Sequence, residues 1–262
     1  MALVFVWGIS CSGSFAGESH LSVNAGNKSS NLEDYYFSIS LPIQRHQLHE
    51  LVSKQRYISY RDVWRFLESA HQSESDSDLI TLYYSRVDIS KLSKASAERQ
   101  ANNDFWNREH IWPQSKGLKG TSARRDLHNI VPTDRSINSS RGNKYFDDGG
   151  ASHNECSGCS TDRDSWEPPA VVKGDIARIL FYMDLRYDGG DVSGAPDLML
   201  NEGNSSDKRY LNGLSTAQRW HCNDPVNDRE RSINELVHDV QGNRNPFVDY
   251  PHWAEKVFLF EC

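Results

Sequence analysis

The 262-residue sequence predicts an α+β fold, one mainly helical domain with a strand–strand–helix unit set into it. Apolar residues recur at helical spacing in several separated stretches, and β-branched and aromatic residues gather in shorter ones. No internal repeat and no linker divides the chain, so its length, near the upper end for one domain, is assigned to one. With 37% hydrophobic and 25% charged residues it has the composition of a globule, not of a disordered chain.

The elements follow in order. Ala2–Ile9 is apolar, too short to span a bilayer but as long as a signal-peptide core, and Ser14-Phe15-Ala16 offers small residues for cleavage. Residues 1–16 therefore read as a signal peptide, one without the usual basic start. Gly8, three residues before Cys11, argues against a lipid anchor there. Residues 17–33 read as a polar, flexible leader, and 34–262 as the folded domain. Leu48, Leu51 and Val52 predict a helix over Gln47–Lys54, and Val63, Phe66 and Leu67 another over Tyr60–Ser69. His71–Asp78 is a polar break before a strand over Leu79–Tyr84. Asn107–Trp112 and Leu127–Pro132 read as two further strands, and Ser136–Phe146 as a short helix. Ile176, Ile179, Leu180, Met183 and Tyr187 make a core stripe on a helix over Lys173–Tyr187 that stops at Gly189-Gly190. The loop from Asp188 to Asp207 lacks the spacing of a calcium loop despite Asp188, Asp191 and Asp197, and is read as surface. Ile233, Leu236, Val237 and Val240 predict a last amphipathic helix, ended by Gly242. No other segment is apolar enough to cross a membrane.

The net charge of −7 speaks against a polyanionic partner, but its distribution does not. From Lys116 to Lys144 there are seven basic residues (Lys116, Lys119, Arg124, Arg125, Arg135, Arg141, Lys144) against Asp126 and Asp134. That window carries +5 and the remainder −12, which marks a local anion site. Few aromatic residues interleave these cations, so the sequence does not argue for base stacking.

The same window holds the chemically suggestive groups: Glu109 and His110 just before it, then Arg124, Arg125, Asp126, His128, Asn138, Arg141 and Asn143. Phosphodiester hydrolysis needs a base for water, oxygen ligands for a hard cation and guanidinium forks for phosphate. A histidine, one carboxylate and one amide carbonyl meet the first two needs, because Mg²⁺ keeps several of its waters. An isolated Glu-His pair is more often a surface acid beside a core histidine, and neighbours on a strand point to opposite faces. Both reach one site only if the strand ends or twists there, and Pro113 makes an ending just beyond them plausible. Asp126 and His128, two apart on the predicted strand, read as a structural hydrogen-bonded pair.

A strand with the histidine, a second strand and a helix with an amide is the layout of the ββα-metal (His-Me finger) nucleases. The chain resembles the bacterial endonuclease I family of that class. The resemblance extends to Tyr57–Trp64, Lys173–Arg178 with Phe181-Tyr182-Met183, Asp224-Pro225-Val226 and Gln241–Asp249, about residues 34–258 in all. It implies a secreted or periplasmic endonuclease that cuts DNA and RNA with little sequence preference, using Mg²⁺ or another divalent ion such as Mn²⁺ or Ca²⁺. His110 would be the general base, Glu109 and Asn143 the metal ligands, and Arg124 or Arg125 the phosphate-binding residue, with Arg124 preferred. Arg141 would contribute, and Asn138 would compete for the metal or, more in keeping with its position, orient the helix. A monomer is expected. The rival readings are a catalytically silent exported protein that binds nucleic acid, and a zinc-binding one.

Removal of residues 1–16 leaves four cysteines in an oxidising compartment, where disulfides are the default. Cys156–Cys159 with Cys222–Cys262 is the simplest of the three pairings. The alternative, zinc on Cys156, Cys159 and Cys222 with His153 or His221, rests on a single Cys-x-x-Cys and is weak.

Overall fold

The structure, a computed structural model, describes residues 32–94, 105–190, 192–203 and 206–262. The expected signal peptide, most of the leader, Cys11 and Asp191 lie outside the described residues. The elements in chain order are α1 (Leu32–Tyr35), α2 (Arg45–Val52), α3 (Asp62–Ala70), β1 (Leu79–Thr81), β2 (Asp88–Ser90), β3 (Trp106–His110), β4 (Ile130–Asp134) and α4 (Arg135–Arg141). Then come β5 (Tyr145–Phe146), β6 (Ala151–Ser152), β7 (Ser160–Thr161), β8 (Ser165–Glu167), α5 (Lys173–Arg186), β9 (Met199–Asn201), β10 (Tyr210–Asn212), α6 (Leu214–Asn223), α7 (Asp228–Gln241), α8 (Pro246–Asp249) and α9 (His252–Phe258).

Helix and strand are mixed as expected, and the predicted helices form with boundaries shifted by a few residues. The central element is α5, buried on almost every side and not only along its predicted stripe. The reason is polar. Arg178 on α5 is fully buried, with its guanidinium on Glu230 of α7 at 2.6 and 2.7 Å and on the Asp224 carbonyl at 2.8 Å. Helix α5 can thus bury a charged face because neighbouring segments supply its counter-charges. Gly242, in a left-handed conformation (φ 89°), ends α7 as expected.

Antiparallel β3 and β4 pair in register, Glu109 opposite Val131 and His110 opposite Ile130. One apolar cluster, including Val63, Leu67, Ile80, Trp106, Ile130 and Val237, joins them to α3 and α7. Three expectations shift here. Leu127–Asn129 is a single tight turn, not strand, so β4 begins three residues later than expected. Asp126 and His128 therefore share no strand face. The His128 amide donates to Asp126 Oδ1 at 3.1 Å, while the ring turns to the Asn243 carbonyl. Helix α4 stops at Arg141 because Gly142 (φ 58°) leaves helical geometry, which puts Asn143 beyond the helix and Tyr145-Phe146 in a strand.

Cys156–Cys159 and Cys222–Cys262 are disulfides. Sulfurs bonded to each other are not thiolate ligands, so the structure does not build the zinc site. The second bridge ties the end of α6 to the C-terminus across 40 residues, a closure of about 4 kcal/mol in chain-entropy terms. In the Asp188–Asp207 loop, Asp188 pairs with Arg45 at 2.7 Å and Asp197 accepts the Gly189 amide, so those two acids are structural.

Buried histidines set a pH dependence. Burial holds His71 at about 3, helped by Arg229 and Arg86, and His128 at about 4 against the opposing Asp126. Both stay neutral in the folded protein, whereas the unfolded chain takes up protons below about 6.5. Their stabilisation is complete above that pH and is lost as pH falls towards 4. Calorimetric Tm values between pH 7.5 and 4.5 should fall less steeply for His71→Gln and His128→Gln than for wild type. The comparison isolates these groups from buried carboxyls such as Asp184, which burial raises and which act in the opposite sense.

Candidate active site

The end of β3 is fastened from two sides. Arg141, fully buried on α4, donates through Nη1 to Glu109 Oε1 at 3.1 Å and to the His110 carbonyl at 2.8 Å, and through Nη2 to the Ile111 carbonyl at 2.7 Å. Asn129 exchanges two hydrogen bonds with the Trp112 backbone, at 2.6 and 3.1 Å. These bonds take up backbone groups that a continuing strand would have paired, so the strand can end at His110 with those carbonyls and the Trp112 amide satisfied.

Glu109 and His110 then face different partners. Glu109 is buried, and Tyr84 Oη joins Arg141 on the same oxygen, Oε1, at 3.0 Å. Burial raises its pKa, while Arg141, Tyr84 and the His110 amide oppose the rise. A carboxylate in that position is under-compensated, and a nearby cation would relieve the desolvation.

The His110 ring turns towards the 124 turn. Its Nε2 lies 2.9 Å from the Arg124 carbonyl, which can only accept, so that nitrogen carries the proton and Nδ1 holds the lone pair. Gln114 Nε2 approaches Nδ1 at 3.3 Å. Burial lowers His110 to about 4, with the Arg124 carbonyl opposing and Arg108, Arg141 and Arg124 adding to the fall. The imidazole is therefore neutral at pH 7.

Arg124 lies with its guanidinium 4.7 Å from the Tyr60 ring, and Arg108 sits over the same ring at 3.5 Å and over Trp64 at 4.4 Å. Arg125 donates to Ser122 Oγ at 2.9 Å and lies 5.8 Å from the Tyr57 ring. Arg124 thus projects beside the histidine that its own carbonyl orients, and Arg125 turns to another tyrosine. Asp126 is buried and receives Gln55, Tyr182, Tyr187, Gln241 and the His128 amide, which makes it an organiser of the turn.

The two asparagines separate. Asn138 faces β3, donating to Asn107 Oδ1 at 2.8 Å and to the Arg108 carbonyl at 3.3 Å. Its nitrogen is committed to the strand that carries Glu109, and its oxygen is the available end. Asn143 is exposed and lines a cavity that includes neither Glu109 nor His110. Glu109 offers a carboxylate and Asn138, held against the same strand, a neutral amide oxygen, the donor types that a hard cation takes. Among the described residues the one group of three His, Cys or acidic side chains that could share an ion, Glu235, His238 and Asp239, is elsewhere on α7, and its Glu235 is paired with Arg244.

Sequence reasoning missed Tyr60, Tyr84, Arg108 and Gln114. Tyr60 and Arg108 do fall inside segments that carried the resemblance. Their roles depend on contacts across the fold, and no local spacing signals those.

The Endonuclease I family profile matches residues 43–252. The extracellular ribonuclease of Bacillus amyloliquefaciens is 41% identical over 216 residues, which is 80% of this chain and 72% of that protein. An extracellular deoxyribonuclease of Aeromonas hydrophila is 32% identical over 129 residues, 47% of this chain and 48% of that protein. A periplasmic deoxyribonuclease of the same organism is 33% identical over 129 residues, with 47% of each chain covered. With the profile spanning most of its length and the candidate base within the matched span, the chain belongs to the endonuclease I family and is a nuclease.

Proposed function

We propose that this chain is an exported endonuclease that hydrolyses phosphodiester bonds of DNA and RNA with little sequence preference, using one divalent ion. The observation that carries the reading is His110, a neutral imidazole fixed by the Arg124 carbonyl so that Nδ1 is its basic nitrogen. Both ribonucleases and deoxyribonucleases occur among the relatives, which supports recognition through phosphates, common to both polymers, over the sugar. Those relatives are named extracellular or periplasmic, which supports export. No helix among the described residues is long and apolar enough to cross a membrane.

In this reading His110 Nδ1 accepts the proton of the attacking water, with Gln114 yielding its place at that nitrogen. Nε2–H stays on the carbonyl throughout, so the ring keeps its orientation as it becomes charged. Arg124 holds a phosphoryl oxygen from its seat on Tyr60, and Arg108, stacked on the same ring, adds positive potential. Arg141 keeps Glu109 and the end of β3 in place. An ion of the Mg²⁺, Mn²⁺ or Ca²⁺ type, when bound, supplies charge neutralisation on the phosphate and on the leaving oxygen. Glu109 would hold it, with an asparagine of the α4 segment as second ligand. Asn138 lies against the strand of Glu109 and Asn143 does not, so the geometry favours Asn138 over the expected Asn143.

Supercoiled plasmid cleavage tests the core of this reading. Wild type should nick and linearise plasmid with Mg²⁺ and lose all activity in EDTA, and His110→Ala should be slower by about 10²–10⁴. Undiminished cleavage by His110→Ala removes the assigned base. No cleavage by wild type with any of the three ions would leave a catalytically silent nucleic-acid-binding protein. Arg124→Ala should lose about 10²–10³ in kcat, whereas Arg125→Ala should stay within a factor of about ten of wild type, a residue already held by Ser122. The reverse order would move the phosphate contact to Arg125. In calorimetric Mn²⁺ titrations, Asn138→Ala and Glu109→Gln should each weaken binding by about 10- to 100-fold or more. Asn143→Ala should leave it unchanged, and weakening there would restore Asn143 as the ligand.

A further inference from the structure

The cavity that Asn143 lines is about 380 Å³, within the range of sites that hold small organic ligands, about 300–1,000 Å³. It brings together Lys116 and Lys144 from the two ends of the basic window, Arg163 from the turn before β8, and Tyr145 and Tyr210. Asp164 is the one acid on its wall, so the lining is net positive. Tyr210 lies more than sixty residues beyond the window. It arrives because Gly213 lets β10 run against β5: at φ 114°, a Cβ there would stand 2.7 Å from the Phe146 carbonyl.

Two short backbone connections join this cavity to the candidate active site. Gln114, at His110 Nδ1, is two residues from Lys116, and Arg141, on Glu109, is two residues from Asn143. Two residues span at most about 7 Å of backbone. The cavity wall and the candidate active site are therefore built on neighbouring residues of the same two segments.

We propose that the cavity is a subsite for one unpaired nucleotide beside the cut. A base stacks on Tyr145 or Tyr210, the neighbouring phosphates meet Lys116 and Lys144, and the Asn143 amide meets the base edge. This rests on the assignment of the reaction to Glu109 and His110. A duplex keeps its bases stacked on one another and offers a lateral ring only phosphates and sugars, whereas an unpaired base presents a free π-face. The enzyme should therefore hold single-stranded DNA or RNA, or locally opened duplex, more tightly than closed duplex.

Fluorescence anisotropy in EDTA, with a labelled mixed-sequence oligonucleotide and its matched duplex, tests binding apart from cleavage. Tyr210→Ala and Tyr145→Ala are compared with wild type, each checked for folding by thermal melting. At least one should weaken single-strand binding by about 5- to 150-fold with less than about a twofold change for duplex. The corresponding phenylalanine variant should bind like wild type, and Lys116→Gln should reduce the salt dependence of single-strand binding by about one phosphate contact. Unchanged single-strand affinity in both alanine variants, or equal losses on both oligonucleotides, overturns the subsite. Plasmid cleavage measured in parallel keeps the two readings apart. Loss of single-strand binding in a wild-type-like nuclease background supports the subsite. The same binding result with a wild type that cuts nothing removes the catalytic assignment and, with it, the placement of the subsite beside a cut.

Discussion

The site depends on one buried cation. Arg141 has no solvent exposure, and it holds together the Glu109 carboxylate, the last carbonyls of β3 and the helix from which it projects. A guanidinium in that position is stable only if its donors find acceptors, and a carboxylate beside it only if its charge is answered. Each therefore requires the other, and both require the strand to stop at His110. Removing one partner of such a buried pair costs on the order of 3–5 kcal/mol, so the strand end and the docking of α4 form one cooperative unit.

The same economy of roles recurs around the histidine. One backbone segment orients His110 through the Arg124 carbonyl and offers the Arg124 side chain towards the same space. The segment is itself held by Asp126, four of whose five donors come from widely separated parts of the chain. Tyr60 is shared by Arg108 and Arg124, so two like charges gather at one ring whose π-system favours cations. Such a pair is poised for an anion, because burial and the neighbouring Arg124 lower the preference of Arg108 for its charge, and a phosphate restores it.

Much of the fold was legible because its signals are local. The stripe on α5, the Gly242 stop and the cysteine count are properties of short windows, and the helices and both disulfides follow them. Boundaries moved where local signals compete. Leu127 to Asn129 has the composition of a strand, but Asp126 caps it as a turn. Ser136 to Phe146 has the composition of a helix, but Gly142 ends it early and sends Asn143 elsewhere. The aromatic content of the basic surface was read as low because Tyr210 is remote in sequence, and only the approach of β10 to β5 brings it there.

By itself the sequence determined which chemistry was available: a Glu-His pair, arginines, amides and a basic window, in an order that matches a known family. Those are identities and spacings, and they survive any packing. Tertiary structure alone decided which groups meet. It set Arg141 on Glu109, gave His110 its tautomer through a backbone carbonyl, and turned Asn138 towards β3 and Asn143 away from it. The reason is that hydrogen-bond partners and desolvation are set by neighbours in space, and here those neighbours are up to 213 residues apart along the chain.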